Sequence, residues 1–186
     1  TGADPYEYIA GAAARAPAGA EGLTFLPYLT GERTPHKDPY ARGAFVGLSL
    51  RHTRAHMARA VLEGVAFGMR DSLEIIREMG VPIEEVRASG GGARSALWRQ
   101  IQADINNVPL VRINVDEGPA YGAALLAMAG TGLCSSVEEA CDATIRVVDS
   151  CEPDAVRARF YDRCFKEYQA AYTALAPGFR RAAEIV

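Results

Sequence analysis

The sequence predicts an α/β fold: a largely parallel or mixed sheet with helices on its faces. Three observations support this. Short apolar runs alternate with longer amphipathic stretches in the order β-α-β-α-β-α. One stretch, residues 53–79, carries a wide apolar face with helical spacing, as a helix packed on two neighbours should. A third feature, three consecutive glycines at Gly90, Gly91 and Gly92, lies between an apolar run and an amphipathic one and reads as a strand-to-helix bend.

Taken in order, residues 5–15 form a short helix, with Asp4 as N-cap and Pro5 in its first turn. An alanine-rich loop follows, so helix and loop together occupy residues 1–20. Residues 23–29 are apolar and aromatic and suit a buried strand. Residues 30–40 hold Gly31, Pro35 and Pro39 without periodicity and predict a long ordered loop.

In the helix over 53–79, Val61, Val65, Gly68, Ser72, Ile75 and Met79 share one side, and Leu62, Ala66, Met69, Leu73 and Ile76 the next. Thr53 is its N-cap and Gly80 its stop, with Pro82 beyond. Gly64 and Gly68 would each cost up to about 1 kcal/mol in a free helix, so the pair predicts a close backbone approach.

Residues 86–89 then read as a strand, 95–106 as a helix with Leu97, Trp98, Ile101 and Ile105 inward, and 109–115 as a strand. Pro119 opens a small-residue helix to residue 129, with Asp116 and Glu117 ahead of its positive end. Within residues 150–186, a closing helix over 153–176 is read from Val156, Phe160, Cys164, Tyr168, Tyr172 and Leu175.

Composition narrows the function. Twenty Lys and Arg against 23 Asp and Glu give a formal charge of −3 with no block of five like charges, so nucleic acid is not an expected partner. No apolar stretch approaches the roughly 18 residues a bilayer requires, so a membrane is not one either. Cys134, Cys141, Cys151 and Cys164 match no metal-ligand spacing and read as reduced packing residues of a cytoplasmic protein. The chain opens on Thr1 without an initiating element, which suggests a piece of something longer.

The candidate site is the bend Gly90, Gly91, Gly92, Ala93, Arg94, Ser95. Absent side chains let main-chain amides and the positive end of the next helix approach an anion or a nucleotide. Read as a dinucleotide fingerprint, Gly90 and Gly92 are its first two glycines and Asp116 takes the ribose, although Ser95 replaces the third glycine. A tight turn without a ligand satisfies the same local pattern.

A second nucleotide reading comes from four motifs in order. Gly43-x-Phe45-x-Gly47-Leu48, then after seven residues His56-Met57-x-x-Ala60-Val61-Leu62-Glu63, resembles the second signature of the FGGY carbohydrate kinases. The segment from Phe25 to His36 is similar to one that xylulokinases carry upstream of it. Gly90 to Ser95 with Trp98-Arg99-Gln100 resembles their adenosine motif, and Gly118 to Ala124 the small-residue helix near the end of their second domain.

The resemblance implies an actin-like, ribonuclease-H-like ATPase fold. Residues 1–186 would form part of the C-terminal domain, incomplete at its N-terminal side. It implies ATP or ADP at Gly90, Gly91, Gly92, Ala93 and Ser95, Mg²⁺ held mainly by the other domain, and a sugar, a ketopentose such as D-xylulose, bound through that domain. The general base would also lie there, so no catalytic or metal residue is assigned here and the isolated chain is expected to be inactive. Glycerol kinases carry an Asn near the position of Ala96, which offers no such contact to adenine. A homodimer is compatible with this reading, and a non-catalytic nucleotide-responsive module is the third alternative.

Six further residues invite roles. His56 reads as a structural polar contact at a helix start, and Glu63 as a buried contact pairing with His56's side of the helix or with Arg33. Glu32 and Arg33 form either a solvated tip or a brace against the partner domain. Gly122 predicts close helix contact, and Trp98 core or the wall of an adenine pocket.

Overall fold

A computed structural model describes residues 5–115 and 118–185, in six helices and five strands. The N-cap expected at Asp4 and the ribose contact expected at Asp116 fall outside the described residues, as does Glu117.

Helix α1 (Pro5–Ala13) leads through the alanine-rich loop to strand β1 (Thr24–Leu26). Strand β1 pairs antiparallel with β2 (Ala44–Val46), Phe25 opposite Phe45. The sequence reading missed β2, because three residues between Gly43 and Gly47 carry too little alternation to register.

Helix α2 (Arg54–Glu78) begins with a capping box, in which the Thr53 side chain pairs with the His56 backbone and His56 Nδ1 accepts from the Thr53 amide at 3.1 Å. Gly80, at φ +80°, follows its last turn. Both ends match the expectation. The buried stripe matches only in part: Ala66 is buried and Val61 and Leu62 pack against the core as expected, but the stripe also runs through Arg59, Ala60, Glu63, Gly64, Phe67 and Asp71, while Met69 and Met79 are exposed. Three charged residues lie inside and each has a hydrogen-bond partner from elsewhere in the chain or one turn away, which hydrophobic spacing cannot register.

The partners come from α2 itself, from the alanine-rich loop and from helix α6 (Ala155–Ala183). Glu63 Oε1 accepts from Arg59 Nε at 2.6 Å, from the Tyr161 hydroxyl at 2.7 Å and from the Gly19 amide at 3.0 Å. Glu63 therefore holds the alanine-rich loop, and the pairing expected with His56 or Arg33 does not form. Asp71 Oδ1 accepts from Gln169 Nε2 at 2.9 Å.

Gly64 is the point of closest approach, since a Cβ there would stand 2.2 Å from the Phe25 carbonyl oxygen of β1. At Gly68 the same atom would meet only ordinary contacts. One glycine of the pair therefore serves the packing that was expected of both.

The second sheet orders β3 (Val86–Ala88), β4 (Leu110–Ile113) and β5 (Val147–Cys151), parallel then antiparallel, and so is mixed as expected. Helix α3 (Ala96–Asn106) joins β3 to β4, and Ile101 and Ile105 are buried. Helix α4 (Gly118–Gly130) packs on α5 (Val137–Thr144). Neither α5 nor β5 was expected; both are short, and α5 buries only Ala140. Among the described residues nothing stands within 4 Å of where a Gly122 Cβ would be, so they make no close helix contact there.

Helix α6 corrects the reading of the tail. Its core stripe is Tyr161, Phe165, Tyr168, Tyr172, Leu175 and Phe179, a repeat of four and three; Phe160 and Cys164 pack against its flank, partly buried, while Val156 is 68% exposed. A run of spacings of four drifts about 40° per step around an α-helix, which carries Val156 off the buried face. The helix also continues through Pro177 to Ala183. Proline withholds one amide from the ladder, but Phe179 beyond it packs on the core.

Candidate functional site

The bend begins where β3 ends. Gly90 has φ +79° and ψ −175°, a region that only glycine occupies without strain. Gly91–Arg94 then make one turn of 3-10 helix, in which the Ala93 amide donates to Gly90 O at 3.1 Å and the Ser95 amide to Gly92 O at 3.3 Å. Ser95 caps α3, its Oγ accepting from the Trp98 amide at 3.3 Å.

The five predicted residues come together here but differ in what they expose. Among the described residues, a Cβ on Gly90 or Gly91 would meet nothing within 4 Å, so the crevice is open at both. A Cβ on Gly92 would lie 2.2 Å from the Trp98 ring, which fills the space that glycine vacates. Ala93 is 4% exposed, so its methyl belongs to the interior and only its main chain borders the bend. The amides of Gly91 and Gly92 find no acceptor among the described residues. Helix α4 starts beside them, a Cβ on Gly118 standing 3.3 Å from Ser89 Oγ.

Beneath the bend lies Arg99, which the sequence reading quoted only as part of a motif. Its guanidinium donates to the carbonyls of Ala93 at 2.5 Å and Arg94 at 3.0 Å, and to Asp149 Oδ2 of β5 at 2.5 Å. Its place one turn into α3, beside Trp98, was the available signal; its partners were not readable from spacing. Trp98 itself is half-buried against the core.

The loop over residues 30–40 is strapped to α6. Asp38, 2% exposed, accepts from the Tyr172 hydroxyl at 2.9 Å and from the Tyr40 amide at 2.9 Å. His36 stacks on Tyr172 with ring centroids 3.6 Å apart. Burial pushes the Asp38 carboxyl up, but those two donors, with Arg180 and the Ala41 amide, hold it below its usual range. Burial lowers His36 against the pull of Asp71, Glu32 and Asp38. At the loop tip, Glu32 Oε1 accepts from the Arg33 and Thr34 amides and Arg33 is exposed, so the two side chains do not pair.

The strand, bend and capped helix belong to a fold shared with solved sugar kinases, the actin-like ATPase fold. The ligand-bound xylulose kinase of Lactobacillus acidophilus superposes with a TM-score of 0.87 at 34% identity, covering 94% of this chain and 36% of that one. The gluconate kinase of the same organism gives 0.86 at 34%, covering 94% and 35%. A xylulose kinase of Staphylococcus epidermidis is 43% identical over 169 residues, 91% of this chain.

Residues 5–131 match the model of the C-terminal domain of the FGGY family of carbohydrate kinases, and the chain belongs to that family. It spans about a third of the length of the curated relative, 34%. Family membership removes the dinucleotide reading of Gly90 and Gly92.

Proposed function

We propose that this chain is the nucleotide-holding portion of an ATP-dependent sugar kinase, and that the crevice at Gly90, Gly91, Gly92, Ala93 and Ser95 receives the adenosine and α-phosphate. One observation carries the proposal: among the described residues the bend is open at Gly90 and Gly91, and the Gly91 and Gly92 amides, without an acceptor there, adjoin the start of a capped helix. An anion there is drawn by the amides and by the helix N-terminus. Gly91 and Gly92 bind, Ser95 stiffens the turn, and Trp98 walls one side.

ATP supplies the phosphoryl group when bound. Among the described residues, no group of three or more His, Cys, Asp or Glu could hold a metal ion, so Mg²⁺ is assigned to the phosphates and the rest of the kinase, as is the general base. A ketopentose such as D-xylulose is the favoured substrate, supported by the xylulose kinase relatives; the gluconate kinase neighbour makes aldonic acids the competing class.

Gly91→Ala tests the site directly, because its Cβ enters open space and folding should be unaffected. ADP affinity of the full-length protein is expected to fall about tenfold or more with an unchanged melting temperature. Equal affinity refutes the site. A coupled ATP-consumption assay across ketopentoses, aldonic acids and glycerol reads the substrate, and no turnover on any of them refutes the kinase.

A further inference from the structure

The glycine bend cannot hold its own shape. Glycine loses more conformational freedom on ordering than any other residue, and three in succession leave the turn with two weak internal hydrogen bonds, at 3.1 and 3.3 Å. A ligand that had to order such a loop would lose affinity to the entropy of doing so. The stiffness comes from below. The Arg99 side chain is 8% exposed, and its guanidinium binds two successive carbonyls of the turn and a carboxylate on a different element.

In a planar trans peptide, the N–H points away from the C=O. Turning the Ala93 and Arg94 carbonyls onto Arg99 therefore fixes the planes of the two peptides that close the turn, those carrying the Arg94 and Ser95 amides, and with them the footing on which Gly90, Gly91 and Gly92 stand. Asp149 anchors the guanidinium from β5, itself held antiparallel to β4, so the bend is referenced to the sheet as well as to α3. Gln100 adds a second tie between α3 and the end of β5, donating to Glu152 O at 2.8 Å.

We infer that Arg99, anchored by Asp149, is a positioning residue: it latches the glycine bend in the shape that binds nucleotide, without touching the nucleotide itself. The inference rests on the nucleotide reading above and assigns it a device. A planar fork that serves two carbonyls and a carboxylate at once is a task for arginine; a lysine ammonium, a point charge with no fork, keeps the charge and loses the geometry.

The test uses the full-length protein, ADP as the probe and calorimetric titration as the readout. Arg99→Lys is expected to weaken ADP binding about tenfold, and Asp149→Asn about threefold, well below each variant's melting temperature. Hydrogen exchange should quicken at the Ala93 and Ser95 amides, the two that donate within the turn, while the amides of α3 stay protected. The Michaelis constant for sugar should not move. Should Arg99→Lys fail to fold, Asp149→Asn decides, since that side chain is 40% exposed and leaves the core intact. Wild-type protein that takes no ADP refutes the nucleotide site and the latch with it. Wild type that binds ADP beside folded variants that bind it equally well refutes the latch alone.

Discussion

Replacing Gly64 by alanine sets two opposing terms against each other at one position. Alanine is the better helix former by up to about 1 kcal/mol, so in an exposed helix the change would stabilise. Here the new Cβ would stand 2.2 Å from the Phe25 carbonyl oxygen and 3.0 Å from its carbon. Carbon contacts relax near 3.5 Å, so α2 and β1 must part by about 1 Å. Both obstructing atoms are backbone, and Phe25 is paired with Phe45, so no side chain can swing aside. Overpacking of this kind costs about 1–3 kcal/mol, at the upper end when main chain must move. We therefore expect Gly64→Ala to destabilise by about 2 kcal/mol net of the helix gain. Gly122→Ala is its counterpart: also within a helix, with nothing inside 4 Å, it should stabilise by about 0.5–1 kcal/mol. Urea unfolding at constant slope reads both as shifts of midpoint, in opposite directions. A midpoint for Gly64→Ala equal to or above wild type refutes the steric account.

Three further outcomes follow from the polar interior. Glu63→Gln leaves Arg59 charged, buried and without its carboxylate, and should cost about 3 kcal/mol in urea unfolding, more than Tyr161→Phe at about 1 kcal/mol. Equal losses would show that the ion pair adds nothing beyond a hydrogen bond. Asp71 is 4% exposed with Oδ2 unpartnered, and burial raises its carboxyl despite the Gln169 donor and His36. Its folded pKa lies above the unfolded one, so its contribution is complete at low pH and is lost as pH climbs through the folded value. Asp71→Asn should therefore gain melting temperature over wild type at about pH 7 and gain little at about pH 4; an equal change at both reverses the sign assigned here. Burial likewise pushes the Cys164 thiol up to about 11, so mass spectrometry after a brief alkylation at neutral pH should find it unmodified until the chain unfolds.

The resemblance to FGGY kinases was carried by local runs of sequence, and the family match now covers residues 5–131. Helix α2 was legible at both ends because capping chemistry is local: Thr53 and His56 are three residues apart, and Gly80 terminates on its own φ. What its interior does was less legible. Glu63 found Arg59 one turn away, but it also found Gly19 and Tyr161, 44 and 98 residues distant, and nothing in the spacing of charges names such partners. Strands β2 and β5 were missed for a related reason. Each is a short edge whose identity comes from the strand beside it, β1 for one and β4 for the other.

The chain's own residues determined the glycine bend, its place between strand and helix, and the helix that carries Trp98 and Arg99, since turn geometry and amphipathic period act within a few residues of one another. Only the tertiary structure decided which glycines face open space and which one Trp98 fills. It alone brought Asp149 beneath Arg99, because contacts between residues fifty positions apart exist only once the sheet and helices have packed.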